Sequence, residues 1–272
     1  MSVPWVLVGC GYTGSRLARV LVGQGVDLTI TRRSAVEAEV TAGQVGARGV
    51  AADLADPATL LGILPADAIV VCLAPPGSAP VAEIRALLAA AEHVRRIVYV
   101  SSTGVYAPGG GAWVDEQWPI APITPSGAAR VLAESALREA RVSNVALRVA
   151  GIHGPGRGLV DRLRVGSYRI VGDGSSHVSR IHVDDLVEAI VRAGRSEITG
   201  AINIADDDPA PIGLVADALA ARLGVPAPPR VPADSVPAEV AGMLTADRRI
   251  ANRRLKDELG VVLRYPSWRD AL

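Results

Sequence analysis

Apolar residues fall into two alternating rhythms along the first two-thirds of the chain. Short apolar runs at Trp5–Val8, Asp27–Thr31, Gly49–Ala52, Ile69–Leu73, Ile97–Ser101 and Val145–Val149 read as strands. Between them lie segments with helical spacing: Ser15–Val22, Ala35–Gln44, Val81–Glu92 and Gly127–Ala140. In Val81–Glu92 the apolar positions 81, 84, 87, 88 and 91 share one face. Continuous apolar strands, as at Ile69–Leu73, suit a sheet covered on both sides. The βαβα alternation therefore predicts an α/β fold with a doubly wound parallel sheet and right-handed crossovers.

The texture changes after residue 151. Gly151–Gly158 reads as a Gly/Pro loop, and His182–Ala193 as a helix with Asp184 and Asp185 in its first turn. Ala201–Ile204 is the last strand, Ile212–Leu223 a helix, and Pro226–Pro237 a proline-rich connector. Arg248–Leu259 closes the chain as a helix with Gly260 in the C-cap position. This pattern places a doubly wound domain at 1–155 plus about 180–205, and a small C-terminal cap at 156–180 and 206–272.

Composition narrows the chemistry. Of the 28 basic residues among 272, the only lysine is Lys256. It is followed by Asp257, so there is no Gly-Lys-Ser/Thr phosphate loop. Its polar surroundings also make it a poor Schiff-base lysine. The 28 basic and 28 acidic residues balance, with no basic run to meet a nucleic acid. Cys10 and Cys72 form neither a disulfide framework nor a metal spacing, and no metal is expected. No basic segment precedes the apolar run Val3–Val8, and no stretch is long enough to span a membrane. The expectation is a cytoplasmic protein with a small-molecule partner.

The motif with chemical content is Gly9-Cys10-Gly11-Tyr12-Thr13-Gly14. It follows the first strand and opens the first helix, which is the context a G-x-G-x-x-G dinucleotide fingerprint requires. The three glycines serve a tight turn, close backbone approach to a pyrophosphate, and helix–strand packing, and the helix N-terminus faces the phosphates. The second strand ends in Thr31-Arg32-Arg33-Ser34, with no carboxylate for the ribose hydroxyls of NAD. Arginine there suits the 2′-phosphate of NADP, so NADP is expected over NAD.

These stretches, taken in order, resemble the short-chain dehydrogenase/reductase superfamily, specifically its extended and atypical branch of NAD-dependent epimerases and dehydratases. Besides the glycine loop, the likeness is carried by Asp53-Leu54, Leu73-Ala74-Pro75 and the run Val100-Ser101-Ser102-Thr103-Gly104-Val105-Tyr106. It continues through Gly151-Ile152-His153-Gly154-Pro155-Gly156 and Arg180-Ile181-His182-Val183-Asp184-Asp185-Leu186. The C-terminal end, from Arg253-Arg254-Leu255 to Arg264-Tyr265-Pro266, is similar to YeeZ-like members. The resemblance implies a Rossmann-type domain and a cofactor held by Gly9, Gly11, Tyr12, Thr13, Gly14, Arg32, Arg33, Ser34, Asp53, Leu54, Leu73, Ala74, Pro75, Ser101 and Arg130. Homodimers through the two helices flanking the sheet are common in that superfamily, and the sequence leaves the oligomeric state open.

One departure is decisive. Family enzymes carry Tyr-x-x-x-Lys after a proline, with Glu four residues past the lysine. Here Pro125 is followed by Ser126, with Arg130 in the lysine position and Glu134 in register beyond it. Arg130 keeps a positive charge for the nicotinamide ribose. Ser126 lacks the phenol that exchanges a proton with substrate, because an alcohol is a far weaker acid. The residues weighed as substitutes are Ser102, which matches the family's Ser/Thr on the reacting oxygen, and Tyr106 and His153. Two functions are expected: an NADP-dependent oxidoreductase or epimerase-like enzyme on a small carbonyl or sugar-type substrate, or a non-catalytic NADP(H)-binding sensor or scaffold.

Overall fold

In the computed structural model, which describes residues 3–271, seven strands form one parallel sheet flanked by helices. They are β1 (Trp5–Val8), β2 (Leu28–Arg32), β3 (Arg48–Ala51), β4 (Ile69–Cys72), β5 (Arg96–Ser102), β6 (Asn144–Val149) and β7 (Gly200–Ile204). Their order is β7-β6-β5-β4-β1-β2-β3. All four residues of β1 and of β4 are buried, as a strand covered on both faces requires. The order reverses between β1 and β4, each paired in parallel with the other, and such a switch point is where doubly wound sheets bind ligands.

Helices α1 (Tyr12–Gly23), α2 (Ala35–Val45), α3 (Pro80–Ala90), α4 (Pro125–Arg138) and α6 (Val183–Arg195) match the predicted helical segments to within a few residues. With no phenylalanine in the chain, one core cluster is built from Val6, Val70, Ile97, Leu87, Leu137 and the buried ring of Tyr99. Arg96, only 2% exposed, is tied down at three points. Its Nε donates to Ala193 O at 2.9 Å, its Nη1 to Ser143 Oγ at 2.6 Å, and its Nη2 to Ile198 O.

Two compact units divide the chain: residues 1–101, 129–147 and 187–202 in the first, and 102–128, 148–186 and 203–272 in the second. The second is built on α5 (Leu159–Arg164) and α7 (Ile212–Leu223), with Tyr168, Ile170, Leu219 and Trp268 in its own core.

Two elements of the second unit differ from the sequence pattern. Gly151–His153, expected as loop, is a strand paired in parallel with Arg180–His182, His153 opposite His182. Only Arg253–Asp257 of the segment 248–259 is helical (α9), because the residues before it are drawn into tertiary bonds. Arg249–Ile250 pairs with Trp113–Val114, while the Arg248 guanidinium donates to the carbonyls of Thr103, Tyr106 and Ala107. Helix propensity is a weak prior against such partners. Gly260 does take a left-handed φ of 64°. Helix α8 (Ala238–Thr245) emerges from the chain beyond the proline-rich connector, without a sequence signal.

Candidate functional site

The first unit places the glycine loop at the switch point. Gly9 has φ +87°, and a Cβ there would lie 2.8 Å from Ala74 N and 2.9 Å from Ala74 Cα. The loop after β4 is itself held in place, since the amides of Leu73 and Ala74 both donate to Val8 O, at 2.8 and 3.0 Å. Only glycine fits at position 9. Gly11 is a different case, because a Cβ built on it meets no protein atom within 4 Å. Nothing in the fold demands glycine there, whereas a pyrophosphate approaching the backbone would. A Cβ at Gly14 would sit 3.1 Å from Cys10 Sγ and 3.2 Å from the Leu73 side chain. No side chain caps the N-terminus of α1, so its field is directed at whatever binds there.

Arg32 closes one side of the loop. Its Nη1 donates to Cys10 O at 2.8 Å, and its Nε and Nη2 donate to Glu37 Oε2 at 3.2 and 2.9 Å. Arg33 is exposed, and Ser34 caps α2 by accepting from Glu37 N. Asp53 Oδ1 accepts from Ala55 N at 3.0 Å, and Leu54 is buried in the core. Pro75 is exposed beyond the switch-point loop.

Further along, Ser101 donates its hydroxyl to Glu134 Oε1 at 2.6 Å, with both residues buried. The glutamate of the family pattern thus holds the end of β5. Arg130 lies on the same helix, and its charge is felt at the Tyr99 phenol, whose pKa burial drives strongly upward.

The second unit holds Ser102, Tyr106 and His153 in three distinct settings. Ser102 ends β5, and its Oγ accepts from Gly104 N at 3.1 Å, leaving its own proton to give. Gly104 in turn meets the start of α4, because a Cβ on Gly127 would lie 2.4 Å from Gly104 O. This close approach brings the turn after Ser102 against the residue following Ser126. Ser126 donates through its Oγ to Glu239 Oε1 on α8, and its amide donates to Glu239 Oε2 at 3.4 Å.

Tyr106 is fully buried. Its hydroxyl donates to Asn203 Oδ1 at 2.7 Å and accepts from Arg148 Nη1 at 3.0 Å. The Tyr106 hydroxyl proton is committed to a buried amide.

His153 is 8% exposed, and its Nε2 has no hydrogen-bond partner within the protein. Its ring lies edge-on to His182 at 5.3 Å between centroids, and His182 stacks on Tyr265 at 3.7 Å. Asp185 sets this stack by accepting the amides of Arg264 and Tyr265 at 2.9 and 3.0 Å. Burial, then the nearby His182 and Arg180, pull the His153 pKa down to about 4. The ring is therefore neutral near pH 7. Beside it, Arg180 Nη1 donates to Val178 O at 2.9 Å, while Nη2 has no partner within the protein. Asp206, whose amide donates to Arg180 O at 2.6 Å, is pushed up to about 7 by burial despite that arginine.

Glu239, Asp206 and Tyr265 are the residues that sequence reasoning passed over. Each meets its partners across long stretches of chain, and none belongs to a local motif.

The sequence model of the NAD dependent epimerase/dehydratase family matches residues 5–205. The chain belongs to that family. A curated relative, the 3-diazoavenalumate denitrifying reductase of Streptomyces sp, is 34% identical over 201 residues, covering 68% of this chain and 66% of that reductase. A functionally unknown conserved protein from Silicibacter pomeroyi DSS superposes with TM-score 0.84 at 29% identity, covering 99% of this chain and 96% of that one. The human epimerase family protein SDR39U1, solved with NADPH, shares the fold at TM-score 0.80 and 20% identity, over 98% of this chain and 97% of that one. Among the described residues no helix is long and apolar enough to cross a membrane, and no three His, Cys, Asp or Glu side chains could hold a metal ion.

Proposed function

We propose that the protein is an NADP-dependent oxidoreductase of the epimerase/dehydratase kind, acting on a small carbonyl or hydroxyl compound. The observation that carries this reading is the cradle at the switch point. It combines an uncapped α1 N-terminus, a Gly11 whose missing side chain the fold itself does not require, and two arginines where an NAD-binding chain would place a carboxylate. Family membership and a relative named as a reductase support the same class.

A bound nicotinamide dinucleotide would supply or accept the hydride. The chain's residues do the rest. The backbone around Gly11 and the α1 N-terminus hold the pyrophosphate. Arg33 engages the 2′-phosphate, joined by Arg32 if it exchanges Glu37 for the ligand. Ser102 directs its hydroxyl proton at the reacting oxygen.

Binding and turnover test this directly. NADPH should bind more tightly than NADH, and Arg33→Ala should weaken NADPH by roughly tenfold, an interaction worth about 1.4 kcal/mol, while sparing NADH. Equal losses for both cofactors would defeat the 2′-phosphate assignment. Reduction of a panel of aldehydes and ketones, followed by loss of NADPH absorbance, should fall in Ser102→Ala. The residue at 126 favours a second reading, a sensor that binds NADP(H) without turnover. Tight binding with no reaction across the panel would support it.

A further inference from the structure

The Ser126–Glu239 pair stands where the family keeps its phenol, and it has the parts of an acid–base relay. We propose that Glu239 acts through Ser126 as the proton-exchanging group of this site, replacing the Tyr-x-x-x-Lys dyad. This rests on the oxidoreductase reading above.

Three observations carry it. First, the Ser126 hydroxyl is spent on a carboxylate, Glu239 Oε1, from a helix 113 residues further along the chain. A serine hydrogen-bonded to a base is the arrangement of an activated hydroxyl, able to pass its proton to the carboxylate as it takes one from a substrate. Second, capping α4 uses only one oxygen of Glu239: Oε2 accepts from Ser126 N at 3.4 Å, which leaves Oε1 for the hydroxyl. Thr124 Oγ1 already accepts from Gly127 N at 3.2 Å, and Pro125 occupies the first helical position. Third, the packing that seats the pair is specific. A Cβ on Gly242 of α8 would lie 2.7 Å from Thr124 Cγ2, so α8 lies directly on the segment leading into Ser126. The Gly104–Gly127 approach then brings the Ser102 turn to the same helix start. Ser126 and Glu239 are both partly exposed.

The proton balance is simple. When a carbonyl carbon receives hydride, its π pair moves to oxygen. That oxygen takes the proton of Ser126, and Ser126 Oγ takes one from the Glu239 carboxyl, which water then reprotonates. In the oxidising direction the substrate hydroxyl loses its proton to Ser126 Oγ as the serine proton passes to the Glu239 carboxylate. Ser126 is the group that touches substrate, and Glu239 is the relay behind it.

The test needs a readout that does not depend on redox turnover. A fluorophosphonate probe should label Ser126, identified by peptide mass, as fluoride leaves and the serine proton passes to Glu239. Glu239→Gln keeps the shape, and its one oxygen can still accept from the Ser126 amide, but it cannot take the proton, so labelling should slow by about a hundredfold, the scale of a positioned base. A merely structural glutamate would tolerate this change. Labelling equal in wild type and Glu239→Gln, or absent from wild-type Ser126, overturns the relay. In the reductase assay, Glu239→Gln should lower kcat with KM and NADPH affinity unchanged, and Glu239→Asp should restore part of it. Unchanged kcat in Glu239→Gln likewise overturns the relay while leaving the oxidoreductase reading intact. Glu239-dependent labelling with no turnover on any substrate upholds the base and defeats the oxidoreductase reading instead.

Discussion

Two buried arginines show how differently the two units treat a charge. In the first unit Arg96 spends its guanidinium on two carbonyls and a hydroxyl, so it behaves as a cross-brace between strand, helix and loop. In the second unit Arg180 makes one carbonyl bond and leaves Nη2 unpartnered, near an Asp206 raised to about 7 and a His153 lowered to about 4. A buried polar group without a partner costs free energy that a satisfied one does not. The buried guanidinium of Arg96 is thus fully used where β5 begins, while that of Arg180 keeps an unmet polar atom beside His153 and Asp206.

The largest effect expected from this contrast lies in the arginines themselves. Arg96→Met should cost about 3–5 kcal/mol in urea unfolding, because it strands buried carbonyls and a hydroxyl. Arg180→Met should stay within about 1 kcal/mol of wild type, because Asp206 can take a proton and fall neutral. Equal losses would erase the distinction between braced and unbraced charge.

Within the first unit the same logic separates two glycines of one motif. Gly9→Ala must fit a Cβ against Ala74 at positive φ and should lose about 2–3 kcal/mol of stability. Gly11→Ala meets no protein atom, so its stability should change by less than about 1 kcal/mol. Its NADPH affinity should nevertheless drop at least about tenfold, since the methyl occupies the pyrophosphate approach. Calorimetric binding beside thermal unfolding distinguishes the two, and a stable Gly11→Ala that binds normally would remove the cradle argument.

The smallest effect is in the pH dependence. His153 has a folded pKa below its unfolded value, so its contribution to stability is present above about 6.5 and lost as pH falls towards about 4. Asp206 is displaced the other way. Its contribution is present below about 4 and lost as pH rises to about 7. Each slope is at most about 1.4 kcal/mol per pH unit, and over the shared window they oppose. Wild-type stability should therefore be nearly flat between about pH 4 and 6.5 as far as this pair is concerned. His153→Gln should expose a decline with rising pH, and Asp206→Asn should expose a rise. Urea midpoints at several pH values read both slopes, and flat profiles in both variants would show that neither group is displaced.

The sheet and its first four helices were legible because their signals are local. Four consecutive buried residues in β1 or β4, or apolar positions on one face of α3, are imposed by periodicity over a few residues. The glycine fingerprint was legible for the same reason, since turn, strand and helix adjoin in sequence. The short strand Gly151–His153 was hidden by its glycine and proline neighbours, and it exists only because Arg180–His182 pairs with it. The segment around Arg248 reads as helix but is held extended by carbonyl partners more than a hundred residues away.

The chemistry divides along the same line. Sequence alone settled that Ser126 and Arg130 stand between Pro125 and Glu134 and that arginines end β2, because these are facts of residue identity and spacing. Tertiary structure decided what those identities are worth. It buried Tyr106 between Arg148 and Asn203, with its hydroxyl bonded to both. It drew Asp185, Tyr265, His182 and His153 into one packed series. It also set Glu239 on Ser126, a pairing no spacing rule could anticipate, since hydrogen bonds across distant chain positions depend on how helices pack rather than on the order in which residues are written.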